Sequence, residues 1–196
     1  MRQAPALTDG ASGARRAAVF DTVLGPCGLA WRAAGDGGEL INVLLPAGDA
    51  AATTSLLRHL SAGAEVVPEP WPAFVQQAVA AMQALLRGEA VSLNEVPIAW
   101  SRVGDFERRV YEATQRLGPG ETSSYGEMAR ALGDPSAARA VGTALGRNPW
   151  PLVVPCHRVL AAGGKLGGFS APGGVATKER LLAIEAPLAR REGELF

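Results

Sequence analysis

Over the first half of the chain, short apolar runs alternate with Gly and Pro. AVFDTVL (18–24), GLAWRA (28–33) and ELINVLL (39–45) are each bounded by such residues. They predict three strands of an antiparallel meander, with turns at Gly25-Pro26 and at 35–38. ATTSLLRHL (52–60) predicts a short helix. A firmer helix is predicted over 72–87, where Pro72 opens the segment, Phe74, Ala78, Met82 and Leu85 share a face, and Gly88 stops it. VPIAW (96–100) fits a last strand or an extended connection.

From Asp105 the period changes to helical. Phe106, Val110, Ala113 and Leu117 recur at helical spacing, and Pro119-Gly120 ends that run. Ser123-Ser124 offers a cap for YGEMARAL (125–132), Gly133-Asp134-Pro135 breaks the helix, and Ser136 is placed to cap a second, AARAVGTALG (137–146). Two short helices joined by a tight turn fit a helix-turn-helix, or simply a compact helical pair. The second is nearly bare, with Arg139 as its only long side chain between Ala137 and Ala144. Bareness serves close packing, or lets a helix approach a narrow groove.

These elements give an α+β fold class. A small N-terminal α/β domain with a short antiparallel sheet (17–100) precedes a helical C-terminal domain with a helix-turn-helix (101–190). Residues 1–16 read as a flexible arm, because Ala, Gly and polar residues pack poorly, and 191–196 read as a tail. Residues 1–16 have no continuous apolar stretch of the secretory kind, and no run has the length of a membrane span.

Charge changes the picture only by position. The net charge is zero, but residues 1–100 carry six Lys/Arg against nine Asp/Glu, and 101–196 carry thirteen against ten. Any phosphate-facing surface is therefore expected in the second half. Two cysteines and two histidines, Cys27, Cys156, His59 and His157, form no zinc-like spacing, so no metal and no cofactor are expected. The reading is of a cytoplasmic monomer with free thiols.

The chemistry concentrates in NPWPLVVPCHRVL (148–160), where a strand-like apolar run leads through Pro155 to Cys156-His157-Arg158. A cysteine attacks as its thiolate, and a neighbouring histidine can lower the cost of forming it. A carboxylate on the other imidazole nitrogen would hold the tautomer. On a strand, however, adjacent side chains point to opposite faces. His157 would thus reach Cys156 only through a backbone turn or a water. The dipeptide alone is equally what a buried, inert thiol beside a surface imidazole would look like.

The stretch from Gly120 to Glu185 is similar to the O6-alkylguanine-DNA alkyltransferase family. GETSSYGEMARALG, SAARAVGTALGRNP, VVPCHRVL, GGKLGGFS and KERLLAIE occur in that family's order and nearly at its spacing. The PCHRV core is highly specific, whereas the N-terminal half matches only in length and strand-rich start. The resemblance implies direct-reversal repair, in which an alkyl group moves irreversibly from O6-alkylguanine, and also O4-alkylthymine, to Cys156 after base flipping. The partner would be double-stranded DNA, held through its minor groove by the helix-turn-helix.

It also implies particular roles. His157, through a water, would help form the Cys156 thiolate, and Glu185 would orient His157. Tyr125 would crowd the DNA backbone and donate a proton toward the base. Asn148 would tie the helix-turn-helix to the active-site turn, and Arg139 would fill the hole left by the flipped guanine. Gly126, Ser136, Ala137 and Ala162 fall where DNA is contacted. Trp150, Pro151, Val159, Phe169 and Ser170 would line the pocket, although Trp150 could equally shield the core. Phe169 stands where many relatives have tyrosine, and Ala171-Pro172 look inserted, lengthening the pocket's lid loop. Alternatives are a non-catalytic lesion sensor, a Cys-His-Glu hydrolase, and a helix-turn-helix regulator with an incidental cysteine.

Overall fold

The computed structural model of the protein describes residues 13–34 and 37–193. The expected arm at 1–12, the centre of the turn at 35–36 and the tail at 194–196 lie outside the described residues. Three strands, β1 (Arg16–Thr22), β2 (Gly25–Ala34) and β3 (Gly37–Leu44), form the meander. The sheet order is β3-β2-β1-β4, and β4 (Glu65–Val66) pairs parallel with β1. The sheet is therefore mixed at one edge, where a purely antiparallel one was expected. Arg15 and Arg16 belong to this edge rather than to an arm, since the Arg15 carbonyl accepts from Glu65 N at 3.0 Å.

The first turn lies two residues earlier than Gly25-Pro26. Thr22 Oγ1 accepts from Leu24 N and donates to the Gly25 carbonyl, so Val23 and Leu24 make the bend. Gly25, at φ +116°, opens β2 instead. Helix α1 (Ala50–Leu60) is capped by the Asp49 carboxylate and lies across the first three strands. It approaches closely because Gly28 has no Cβ, which would stand 2.8 Å from Leu57 Cδ2. Helix α2 (Ala73–Leu86) follows Pro72 and buries Val75, Ala78, Met82 and Leu85.

The outer edge of β3 joins the two halves of the chain. Leu40 N donates to the Pro97 carbonyl, Ala99 N to the Leu40 carbonyl, and Val43 N to the Pro149 carbonyl, at 2.8, 2.9 and 2.8 Å. VPIAW is thus an extended connection with a single parallel bridge, Leu40 to Ile98. Unpaired edge groups need partners, and this edge obtains them from segments on both sides of α3 (Asp105–Gln115). Trp150 completes the joint: it is fully buried, donates from Nε1 to the Leu40 carbonyl at 2.9 Å, and meets the Trp100 and Tyr111 rings edge-on.

Beyond α3, the two-residue β5 (Ser123–Ser124) leads into α4 (Tyr125–Ala131), followed by α5 (Ala138–Gly146). Ser124 caps α4 in a reciprocal pair with Glu127. Ser136 is not a helix cap. Asp134 takes that role, accepting from Ser136 N and Oγ, and Pro135 starts a single 3-10 turn before α5. A carboxylate that only accepts, followed by a proline already fixed at helical φ, outcompetes the hydroxyl. The chain then runs through β6 (Val159–Leu160) to the long α6 (Gly174–Gly193).

Candidate active site

The run 148–155 is not a strand. It coils through turns in which Leu152 adopts φ +75°, and Cys156–Arg158 is a 3-10 turn that only then enters β6. Three prolines (Pro149, Pro151 and Pro155) lack the N–H groups a ladder would need. Cys156 and His157 therefore do not alternate across a sheet. Both are buried on one turn. Asn148 holds this coil from the end of α5: its amide donates to the Val154 carbonyl at 2.8 Å, and its Oδ1 accepts from Trp150 N at 2.9 Å. β5 pairs parallel with β6, Ser123 against Val159, which brings the start of α4 beside the strand leaving the turn.

Cys156 opens into a cavity of about 410 Å³ lined by Tyr125, Gly142, Leu145, Gly146, Gly168, Phe169 and Ser170. Of the expected pocket residues, Phe169 and Ser170 are in its wall. Trp150, Pro151 and Val159 are not: all three are buried, Trp150 and Val159 within the hydrophobic core. Tyr125 is half-buried and faces the bare side of α5 at Gly142. Arg139, Ser136 and Ala162 are exposed, with Gly126 and Ala137 half-buried.

Behind the cysteine lies a buried charge cluster. His157 Nε2 is 3.1 Å from Glu185 Oε1, and Arg158 donates from Nε and Nη2 to the two oxygens of the same carboxylate at 2.8 and 2.7 Å. Gly120 N donates to Glu185 Oε2 at 3.2 Å, and Arg158 Nη1 to the Leu117 carbonyl at 2.6 Å. Gly120 stands at φ +87° and its missing Cβ would fall 2.6 Å from Ala189 N, so no other residue fits. Among the described residues, His157 Nδ1 is buried without a protein partner.

Two members of this cluster were not anticipated. Arg158 was passed over inside the PCHRV core. Lys178 is fully buried, donates to the Val159 carbonyl at 2.6 Å and lies 5.9 Å from the centre of the Tyr125 ring. Lys178, Leu181, Glu185 and Leu188 recur at helical spacing on one buried stripe of α6. A charge inside an apolar stripe was the signal available for both Lys178 and Glu185.

Burial pushes the Cys156 thiol above its ordinary range, with the Asn148 amide and the Lys178 ammonium pulling the other way. Burial also lowers His157 and Lys178 and raises Tyr125. Glu185 is driven upward by burial, but its bonds to His157 and Arg158 outweigh that and bring it down to about 2. The resting site is thus a neutral thiol beside a neutral imidazole held by an ionised carboxylate. Cys27, in β2, is likewise buried, which raises its thiol to about 11.

Residues 105–187 match the family model for the DNA-binding domain of 6-O-methylguanine DNA methyltransferase. A methylated-DNA–protein-cysteine methyltransferase of Mycolicibacterium paratuberculosis is 55% identical over 84 residues, 43% of this chain and 50% of that relative. The chain thus spans half the length of that relative. The protein of the same name from Mycobacterium tuberculosis H37Rv is 43% identical over 128 residues, covering 65% of this chain and 74% of its own. The solved structure of Mycobacterium tuberculosis OGT in complex with DNA superposes with a TM-score of 0.67 at 35% identity, covering 89% of this chain and 94% of that one.

Removing the shared carboxylate should leave Arg158 buried and uncompensated. Glu185→Gln is expected to lose roughly 3–5 kcal/mol of stability, measured by urea unfolding at pH 7. Glu185 is depressed in the folded state, so its stabilisation is complete above its ordinary value of 4.5 and is lost as pH falls toward about 2. The wild type should therefore lose stability across that window while Glu185→Gln changes less. Equal pH slopes would contradict the assignment.

Proposed function

This chain belongs to the 6-O-methylguanine DNA methyltransferase family, a group of direct-reversal DNA-repair proteins that move an alkyl group onto a cysteine, and from that premise we propose that Cys156 is the acceptor and is consumed once per lesion. The observation that carries the assignment is the position of Cys156. It lies at the wall of a cavity bounded by Tyr125 and the bare face of α5, with His157 and Glu185 locked behind it. The other assigned roles rest on this arrangement together with the sequence resemblance.

A base in the duplex stack is out of reach of a buried thiol, so the nucleotide must be flipped, at a cost of a few kcal/mol. Arg139, exposed on a helix otherwise bare, fills the space the base leaves. Gly126, Ser136, Ala137 and Ala162 lie against the backbone of the minor groove, where small residues permit close approach. The basic excess of the second half serves the phosphates.

In the cavity, Cys156 Sγ attacks the O6-bound carbon. The new C–S bond forms as the C–O6 bond breaks. The thiol proton passes to His157 through a water at Nδ1, the buried nitrogen with no protein partner. Glu185 holds the other nitrogen and stabilises the imidazolium. Tyr125 donates a proton toward the departing base, which lowers the barrier to its leaving. Lys178 favours the developing thiolate by its charge. The thioether is stable and nothing in the cluster is placed to remove it. Phe169 carries no hydroxyl, so donors to the base come from Tyr125, Ser170 and the backbone. The same pocket chemistry extends to O4-alkylthymine, and the protein acts as a cytoplasmic monomer on double-stranded DNA.

Incubation with a duplex carrying O6-methylguanine should add one methyl to the intact protein mass, stoichiometrically, and Cys156→Ala should gain none. Retained DNA binding without a mass gain would point to a lesion sensor or a regulator, and repeated turnover on an ester to a hydrolase. Arg139→Ala should slow repair of duplex DNA far more than reaction with free O6-benzylguanine, because only the former requires flipping. Equal losses on both would remove Arg139 from that role. With the thiol raised and the imidazole lowered, the neutral pair persists through the neutral range. The rate with free O6-benzylguanine should then be flat from about pH 6.5 to 8.5 and fall only on further acidification, as His157 is protonated. A rate climbing tenfold per pH unit across neutrality would instead indicate a free thiol titrating without a base.

A further inference from the structure

The inserted Ala171-Pro172 segment is neither loose nor remote from the cavity. Phe169 and Ser170, which precede it directly, form part of the cavity wall. The segment closes into a turn by a hydrogen bond from Gly174 N to the Ala171 carbonyl at 3.0 Å. Ala171 and Phe169 pack against the core. One side chain then fastens the turn to α6: Thr177 Oγ1 donates to the Pro172 carbonyl at 2.8 Å. The fit around that hydroxyl is tight. Gly173 stands at φ +79°, and a Cβ there would fall 2.2 Å from Thr177 Oγ1. The next residue, Lys178, donates to the Val159 carbonyl on the strand that leaves Cys156. Consecutive residues near the start of α6 therefore tie it to the turn that follows the Phe169–Ser170 wall and to the strand that leaves Cys156.

We propose that Thr177 is a positioning residue that fixes the Phe169–Ser170 wall before substrate arrives, so that this chain binds the alkylated base in a preformed cavity rather than by closing a loop over it. This rests on the alkyl-transfer reading and adds to it how the base is received. The reacting groups do not depend on the tether. Cys156, His157 and Glu185 are held by Asn148, Arg158 and Gly120. Cutting the tether leaves that cluster in place and frees only the wall, whose ordering must then be supplied on binding. The loss accordingly falls on substrate affinity and not on the chemical step.

The test is saturation kinetics with free O6-benzylguanine, which requires neither DNA binding nor flipping, read as benzyl mass gained by the intact protein. Thr177→Val keeps the shape and removes the donor. It should raise the half-saturating concentration about fivefold, the worth of one neutral hydrogen bond, while the limiting rate changes less than twofold. Thr177→Ser restores the hydroxyl and should return the value to within about twofold of wild type. Gly173→Ala, which pushes on the same oxygen, should reproduce the Thr177→Val defect. A Thr177→Val protein with wild-type half-saturation overturns the proposal, as does a loss confined to the limiting rate, or a Ser variant as impaired as Val. A wild type that takes a methyl from duplex DNA separates these outcomes from failure of the transfer reading, because that reading is then intact. A wild type that gains no alkyl mass from either substrate overturns the transfer reading, and the tether with it.

Discussion

The Glu185 carboxylate is the constraint on which the rest of the site depends. It accepts from His157, from two nitrogens of Arg158 and from the Gly120 backbone. The carboxylate itself comes from α6, and its partners come from the turn that carries Cys156 and from the loop that precedes α4. A buried carboxylate is costly unless its oxygens are fully paired, so the four contacts leave little freedom in how these three segments meet. Arg158 extends the cluster to the Leu117 carbonyl at the end of α3. The thiol is held in place through its neighbours rather than by any strong bond of its own.

A second constraint acts from the other half of the chain. The coil 148–155 has no ladder of its own, because its prolines remove the donors. It is held instead by the Asn148 amide, by the edge of β3 at Val43, and by the Trp150 indole on the Leu40 carbonyl. The N-terminal sheet thereby supports the back of the site although it contributes no residue to the cavity. This accounts for the burial of Trp150, which the sequence left equally divided between pocket wall and core. An indole that finds a carbonyl partner and two aromatic edges in the interior gains more there than at a solvent-facing wall.

Three features meet at the cavity. Its α5 side is bare at Gly142 and Gly146, and at Gly146 an added Cβ would meet nothing within 4 Å. Its Cys156 side is backed by the ionised Glu185 and neutral His157. Its third side, the wall that runs into the Ala171-Pro172 turn, is fastened to α6. The thiol stays protonated at rest because burial outweighs Asn148 and Lys178. Under the proposed transfer, a cysteine spent in one reaction benefits from being unreactive toward everything except the base that fills the cavity.

Much of the fold was legible in the chain alone. The meander, the two early helices, α3 and the α4–α5 pair follow from hydrophobic period and from Gly and Pro punctuation, because local backbone preferences set them. The PCHRV core and its surrounding motifs were likewise sufficient to point to Cys156. What local pattern could not decide was anything closed by distant partners. Asp134 displaced Ser136 as a cap through a local competition between two acceptors. The parallel pairings of β4 with β1 and of β5 with β6, the coiling of 148–155 and the inward position of Trp150 all depend on contacts far along the sequence. Arg158 and Lys178 look like solvated cations in the chain and become buried structural ones only when α6 folds against the Cys156 turn. A residue's type determines which bonds it can make. Whether a charge is paired and dry or free in water depends on which segments meet, and only the tertiary structure decided that.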